Sequence, residues 1–409
     1  MIIIVGAGAA GLLAGIAATK NCKDVLILER MQKAGRKMLI TGKGRCNITN
    51  AADIPEILQN IPGNGVFLNS ALRTFTNQDI CNLLNENGCL TKIERGKRIF
   101  PVSDKSSDVV DTLLKIFYQQ GGKICYNTKV SQFVTECGII KKIITENNQT
   151  FFPDKVILCA GGATYPATGS DGSGAKLAAS VGHTIVPLRP SLVPLVSDWQ
   201  YCEALQGLSL KNIQATLFAD GKKIAEEFGE LLFTHFGVSG PIVLSVSNFA
   251  SRALDEKKEV EIRIDLKPAL TKEKLHERIC RDFAKFSRKQ LSNAMVKLLP
   301  HSLIPVVLDM AYLDENKFVN QVTKSERLRL FDVLKNFIVP VVATRPLSEA
   351  IVTAGGVSAK EINPKTMASK LIKNLYFGGE VMDVDGYTGG YNLQAAFSSG
   401  YVAGFNASL

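Results

Sequence analysis

The sequence predicts an α/β protein in which a βαβ domain is assembled from both ends of the chain and a β-rich segment with a helical insertion lies between them. Three observations carry this. The apolar, β-branched tetrapeptide Ile2–Val5 runs into Gly6-x-Gly8-x-x-Gly11 and then an Ala/Leu-rich stretch. Beyond Pro187, where Pro190 and Pro194 also crowd the chain, the pattern turns to alternating segments such as 214–218 and 260–266. After Arg345-Pro346 glycine-rich turns return, and Leu375-Tyr376-Phe377 supplies a last short strand to rejoin the first domain.

At 409 residues, 46% hydrophobic and 21% charged, the chain is a globular protein of two or three domains. The long uncharged run 1–19 lacks the basic start and cleavage site of a secretory signal and carries Gly6, Gly8, Gly11 and Gly15, so it is read as a core βα unit. No other stretch suits a bilayer, and the expectation is a cytoplasmic protein with no membrane partner. Nine cysteines without a CxxC pair fit reduced thiols, with neither a disulfide framework nor a metal site. The net charge of +10 suits a polyanionic partner or simple solubility.

In order along the chain, 2–5 is a strand, 9–19 a helix and 25–28 a second strand. The segment 53–120 reads as mostly helical, ending in an amphipathic run that opens at Ser106-Ser107-Asp108 and stops at Gly121-Gly122. Short strands follow at 124–126, 130–134, 139–144 and 155–159. From 270 to 337 the period is helical, with Thr323-Lys324-Ser325-Glu326 as a capping box. The resulting division is 1–187 with 347–409, 188–268 with 338–346, and 269–337.

The glycine motif has the context that gives it meaning. Gly6 permits the tight turn, Gly8 lets backbone N–H groups approach a pyrophosphate, Gly11 permits close helix–strand packing, and the helix N-terminus favours negative charge. Glu29 ends the next strand and is placed to accept from ribose hydroxyls. This motif alone admits FAD or NAD. The C-terminus decides for FAD held non-covalently: Gly378-Gly379-Glu380 suits a ribityl chain, and Gly389-Gly390-Tyr391-Asn392-Leu393 opens a helix whose positive end would face the flavin.

Gly35-Arg36-Lys37, 41–50 (TGKGRCNITN), 232–241 (LFTHFGVSGP), 353–357 (TAGGV), 379–383 (GEVMD) and 388–392 (TGGYN) together resemble the HI0933-like family of bacterial NAD(P)/FAD-dependent oxidoreductases, itself similar to the fumarate-reductase-like flavoproteins. Cys159-Ala160-Gly161 departs from the ATG triplet common there. The resemblance implies a Rossmann-type FAD-binding domain with an inserted β-barrel-like domain and an inserted helical domain. It extends the expected cofactor contacts to Ala9, Ala10, Arg30, Arg36 and Lys37, to Gly44 and Asn47 of the 41–50 loop, to Val130, Ala160 and Gly161, and to Asn392 and Leu393. No second nucleotide motif is present, so NAD(P)H would visit the flavin only transiently.

For the chemistry, the candidates are His235, Cys46, Arg45 and Ser239. Arg45 could neutralise a pyrophosphate or a developing negative charge. Cys46 or His235 would protonate the carbon next to the one that receives hydride. His235 and Ser239 sit in the stretch 233–241, read as a tight loop over the isoalloxazine, whereas His183, His276 and His301 read as surface residues. Nine Lys/Arg face three Asp/Glu between Lys267 and Lys297, a basic insertion that suits a phosphate-rich substrate, though only Phe283 and Phe286 are aromatic there. Family members are linked to reduction of an rRNA uridine, to reduction of conjugated steroid acids or other enones, and to oxidation of aminoacetone-type amines. The resemblance and the basic insertion favour dihydrouridine formation in large-subunit rRNA. The oligomeric state is left open.

Overall fold

The computed structural model describes residues 1–409. It divides into two compact units, residues 1–189 with 347–409, and residues 190–346.

The first unit is organised by a five-stranded parallel sheet in the order Leu375–Phe377, Lys155–Leu158, β1 (Ile2–Val5), β2 (Val25–Leu28), Lys123–Cys125. In register, Ile2 faces Val25 on one side and Lys155 on the other. A parallel sheet covered on both faces needs near-continuous apolar strands, and β1 is buried throughout. Helix α1 (Ala9–Ala18) packs against the C-terminal helix Tyr391–Ala407 through small residues. A Cβ on Gly400 would lie 2.2 Å from Ala10 O, and one on Gly404 would lie 2.0 Å from Ala14 O, so these helices meet backbone to backbone. This contact fixes the C-terminus beside the N-terminal glycine turn.

The segment 53–120 is not purely helical. Thr49–Asn50, Arg98–Pro101 and Thr91–Glu94 form a small antiparallel sheet. Its strands are short and carry Lys92, Glu94 and Arg98, so the hairpin of 91–94 with 98–101, extended by Thr49–Asn50, outweighs a weak local preference.

In the second unit a seven-stranded sheet is built around the hairpin Ser209–Ala219/Lys222–Thr234, flanked by Val260–Asp265 and Phe337–Val341. The helices of 272–335 share one apolar core with this sheet: Leu275, Ile279, Leu330 and Leu334 cluster with Ile262, Ile264 and Phe337. The box at Thr323 closes as expected, with Thr323 N–H donating to Glu326 and Glu326 N–H donating back to Thr323 Oγ1. No helix of the chain is long and apolar enough to cross a membrane.

Candidate cofactor site

The glycine turn between β1 and α1 has three glycines under three different constraints. A Cβ on Gly6 would approach Cys159 O to 2.6 Å, and one on Gly11 would sit 1.8 Å from Gly6 O, so both are required by the protein's own packing. Gly8 differs, because nothing lies within 4 Å of its Cβ position. That open space stands at the N-cap of α1, where no side chain caps the helix and Ala9 is partly exposed. An uncapped helix start leaves N–H groups free and carries partial positive charge. The residues present therefore fit a pyrophosphate.

Glu29 is buried, at 8% exposure, where β2 ends. Its two oxygens accept from Ala7 N–H at 2.7 Å and Met31 N–H at 2.8 Å. Burial pushes its carboxyl above the usual range, and the two N–H donors, with Arg30 and Arg36 nearby, oppose that. Glu29 thus ties the glycine turn to β2 and keeps lone pairs for a further donor. Arg30 pairs with Asp171 and reaches Gly169 O, and Val130 is buried at the start of the strand Val130–Glu136. Gly161 lies under Ser170, whose hydroxyl is buried without a partner, and Ala160 packs beside Gly174.

Two sequence-distant motifs dock on each other in the same unit. Asn50 Nδ2 donates to Gly389 O at 3.0 Å, and Thr49 Oγ1 donates to Gln394 Oε1 at 2.6 Å. The Asn47 side-chain oxygen accepts from Gly390 N–H at 2.9 Å in the amide orientation that its neighbours require. Gly390 must be glycine: its φ is +99°, and a Cβ would lie 2.4 Å from Thr49 O. The loop 41–50 is thereby latched to the start of the helix Tyr391–Ala407, which again has no side-chain cap. Asn392 spends its amide on Gly386 and Tyr387, Leu393 is half-buried on the first turn, and nothing lies within 4 Å of a Cβ position on exposed Gly44.

A polar chain that the sequence did not reveal joins four further segments. Lys37 Nζ donates to Glu380 Oε2 and to Thr164 Oγ1, both at 2.7 Å. Glu380 Oε1 accepts from Thr353 N–H at 2.7 Å, and Thr353 Oγ1 accepts from Ala163 N–H at 2.8 Å. Thr353 belongs to the 353–357 block and Lys37 to the 35–37 block, which was their only signal. Arg36 starts the short helix Arg36–Ile40, and Gly379, at φ +76°, donates its N–H to Ser399 Oγ.

The chemical candidates are distributed unevenly. Cys46 is wholly buried and burial pushes its thiol up to about 12, so it holds its proton at neutral pH. Arg45 is already matched: its Nε donates to Asp104 at 2.7 Å, its Nη2 pairs with Glu94, and its guanidinium lies 4.2 Å over Phe100. In the second unit, 233–241 is a β-hairpin end where a loop was expected. The strand Lys222–Thr234 turns at His235-Phe236 into Gly237–Ser239, with Leu232 opposite Ser239. His235 is exposed at the tip, edge-on to Phe236, which in turn carries Arg345 over its ring at 4.7 Å.

His183, read as a surface residue, is instead 4% exposed. Its Nδ1 lies 2.9 Å from Glu361 Oε2 and its Nε2 2.9 Å from Ser369 Oγ, with the ring edge-on to Phe377. These partners are 178 and 186 residues away in sequence, which removes any local cue. All nine cysteines are free thiols, and no group of three or more His, Cys, Asp or Glu side chains is placed to hold a metal ion.

A parallel sheet with an acid-tipped second strand, a glycine cradle at an uncapped helix and a C-terminal helix latched beside it define a Rossmann-type flavoprotein, an FAD-dependent oxidoreductase. The sequence profile of the HI0933-like protein Rossmann domain matches residues 1–406, and the chain belongs to that family. Among curated relatives it is 32% identical to the 3-dehydro-bile acid delta(4,6)-reductase of Clostridium scindens, covering 98% of this chain and 97% of the relative. It is 31% identical to the ribosomal RNA dihydrouridine synthase of Haemophilus influenzae, covering 99% and 98%. Among solved structures, the fold is similar to 3-ketosteroid-delta4-(5alpha)-dehydrogenase of Rhodococcus jostii, with a TM-score of 0.52 at 13% identity over 100% of this chain and 96% of that one.

Proposed function

We propose that the chain is an NAD(P)H-driven reductase of an activated carbon–carbon double bond, and that its acceptor is a uridine of large-subunit rRNA, reduced to dihydrouridine. Two full-length relatives at near-equal identity carry names for reductions of conjugated double bonds, which supports the reaction class but does not separate a steroid acid from a nucleic acid. The observation that supports the RNA acceptor is the basic run between Lys267 and Lys297, where Arg281, Lys285, Arg288, Lys289 and Lys297 are all exposed. A small acceptor has no use for such a surface, whereas RNA binding gains from each phosphate neutralised.

FAD, when bound, would supply hydride transfer, carrying two electrons and one proton from NAD(P)H to one carbon of the double bond, while the neighbouring carbon takes a second proton. The residues expected to hold it are the turn Gly6 to Gly11, Glu29 and Arg30, the 41–50 loop with Gly44 and Asn47, and the Lys37–Glu380 chain. His235 is the proton donor in this reading, because its imidazole is exposed, whereas the Cys46 thiol is sealed in the core. The test is a deletion strain in which dihydrouridine is mapped across rRNA. Loss of one dihydrouridine, restored by the wild-type gene but not by His235→Ala, is expected. An unchanged map, with purified enzyme reducing a conjugated steroid acid, would establish the small-molecule reading instead.

A further inference from the structure

Lys285 Nζ, Lys289 Nζ and Lys297 Nζ lie 5.8, 5.1 and 5.9 Å from the centroid of one ring, that of Phe286. They come from the last turn of the helix Lys272–Lys285, from the loop after it, and from just beyond the helix Leu291–Met295. The backbone that presents them is pinned. Phe286 N–H donates to Asp282 O, Lys289 N–H to Phe286 O, Val319 N–H to Lys289 O and Asn320 N–H to Ser287 O, all between 2.8 and 3.0 Å. Leu291 and Met295 anchor the segment in the core below.

No carboxylate pairs with these three lysines, or with exposed Arg281 and Arg288 beside them, whereas Arg278 on the same helix is engaged by Asp282 at 3.1 Å. Three ammonium groups gathered on one ring repel one another, and the ring face offsets only part of that. Such a cluster favours an anion whose charges repeat along a flexible chain, because each ammonium can then take its own phosphate. The half-buried ring of Phe286 offers a base a stacking surface once the ammonium groups turn outward.

Resting on the proposed RNA reading, we infer that Lys285, Lys289 and Lys297 around Phe286 form a docking site for the phosphate backbone of the RNA substrate, remote in sequence from every cofactor motif.

The experiment uses the holoenzyme and a short fluorescein-labelled single-stranded RNA, titrated at several salt concentrations. For Lys285→Gln/Lys289→Gln/Lys297→Gln, Kd should rise about tenfold near 100 mM salt, and the log–log salt slope should fall by about 2, the share of three phosphate contacts on a single strand. The charge-keeping triple change to Arg should restore both. The control, Lys115→Gln/Lys123→Gln/Lys141→Gln, removes the same charge from exposed positions of the other unit and should change neither by more than about twofold. Equal loss in the control would reduce the effect to net charge and overturn the site. Undiminished RNA binding by the first triple variant, with binding to phosphatidylglycerol vesicles lost, would overturn it in favour of a membrane surface. Dihydrouridine formation by the wild type reads out separately: if it occurs and the triple variant matches the wild type, the docking site fails and the RNA reading stands. If the wild type neither binds RNA nor forms dihydrouridine, the reading fails and the site with it.

Discussion

The glycine turn of the first unit and the basic segment 267–297 of the second make opposite demands on their residues. In the turn the constraint is steric and internal: Gly6 and Gly11 face backbone oxygens at distances no Cβ tolerates, and Glu29 is locked by two N–H groups. In the basic segment the exposed lysines meet no such constraint, and almost any polar residue would leave the core of Leu275, Ile279 and Leu291 intact. The first site is therefore defined by what the fold forbids, and the second only by what a partner would want. That is why the cofactor class can be read from spacing, and the acceptor needs an experiment.

The sharpest break in this comparison lies inside the turn itself. Gly11→Val should abolish soluble, folded protein, because the added atoms meet Gly6 O at 1.8 Å and the neighbouring strand cannot withdraw without opening the sheet. Gly8→Val should leave the far-ultraviolet spectrum and the melting transition close to wild type, since its Cβ meets nothing, yet remove the yellow colour by blocking the approach of a pyrophosphate. Equal behaviour of the two variants would show that Gly8 is a packing residue like its neighbours. The wild type should release intact FAD on heat denaturation.

The chemical candidates give the next largest effect. His235→Ala should keep the flavin spectrum and slow acceptor-dependent reoxidation by roughly 10²-fold, the usual scale of general acid catalysis. Cys46→Ala should turn over at near the wild-type rate and lose only stability, since the thiol is enclosed and firmly protonated at neutral pH. A large loss of turnover in Cys46→Ala with flavin and stability intact would return that thiol to the mechanism.

The smallest effect is a pH dependence. Burial lowers the affinity of His183 for a proton despite Glu361 beside it. For Glu361, burial acts upward, but the hydrogen bonds from Thr184 and His183 outweigh it and its carboxyl lies below the usual range. Both signs agree. As pH falls below the ordinary histidine range, the unfolded chain takes up a proton that folded His183 refuses, and at still lower pH the same holds for Glu361, so stability is lost on the acid side. The melting temperature should fall between about pH 7.5 and 5.5, and His183→Gln should flatten that fall. An unaltered slope would assign the acid sensitivity to other groups.

How much of this was legible in the sequence follows the same division. β1, α1, β2 and the strand Leu375–Phe377 were readable because apolar runs bounded by glycines leave few alternatives for a buried parallel sheet. The strands 91–94 and 98–101 were not, because they are short and charged, although they pair with each other in a tight hairpin. The stretch 233–241 reads as a loop because Gly237, Gly240 and Pro241 signal irregularity, while its strand character comes from the tight pairing of Phe233 with Val238 and from the register of Val238 with Leu195. At the site, the Asn47–Gly390 and Lys37–Glu380 contacts join residues 343 apart in both cases, so the motifs were visible and their docking was not.

In the function proposed above, an FAD held by the Gly6–Glu29 turn delivers reducing equivalents to an RNA base. The most direct test is anaerobic: the holoenzyme is reduced with one equivalent of NAD(P)H and mixed with large-subunit rRNA from the deletion strain. Flavin reoxidation with one dihydrouridine formed per flavin is predicted, at a rate that falls as salt rises. Flavin that stays reduced in the presence of that rRNA, but is promptly reoxidised by a conjugated steroid acid, would contradict it.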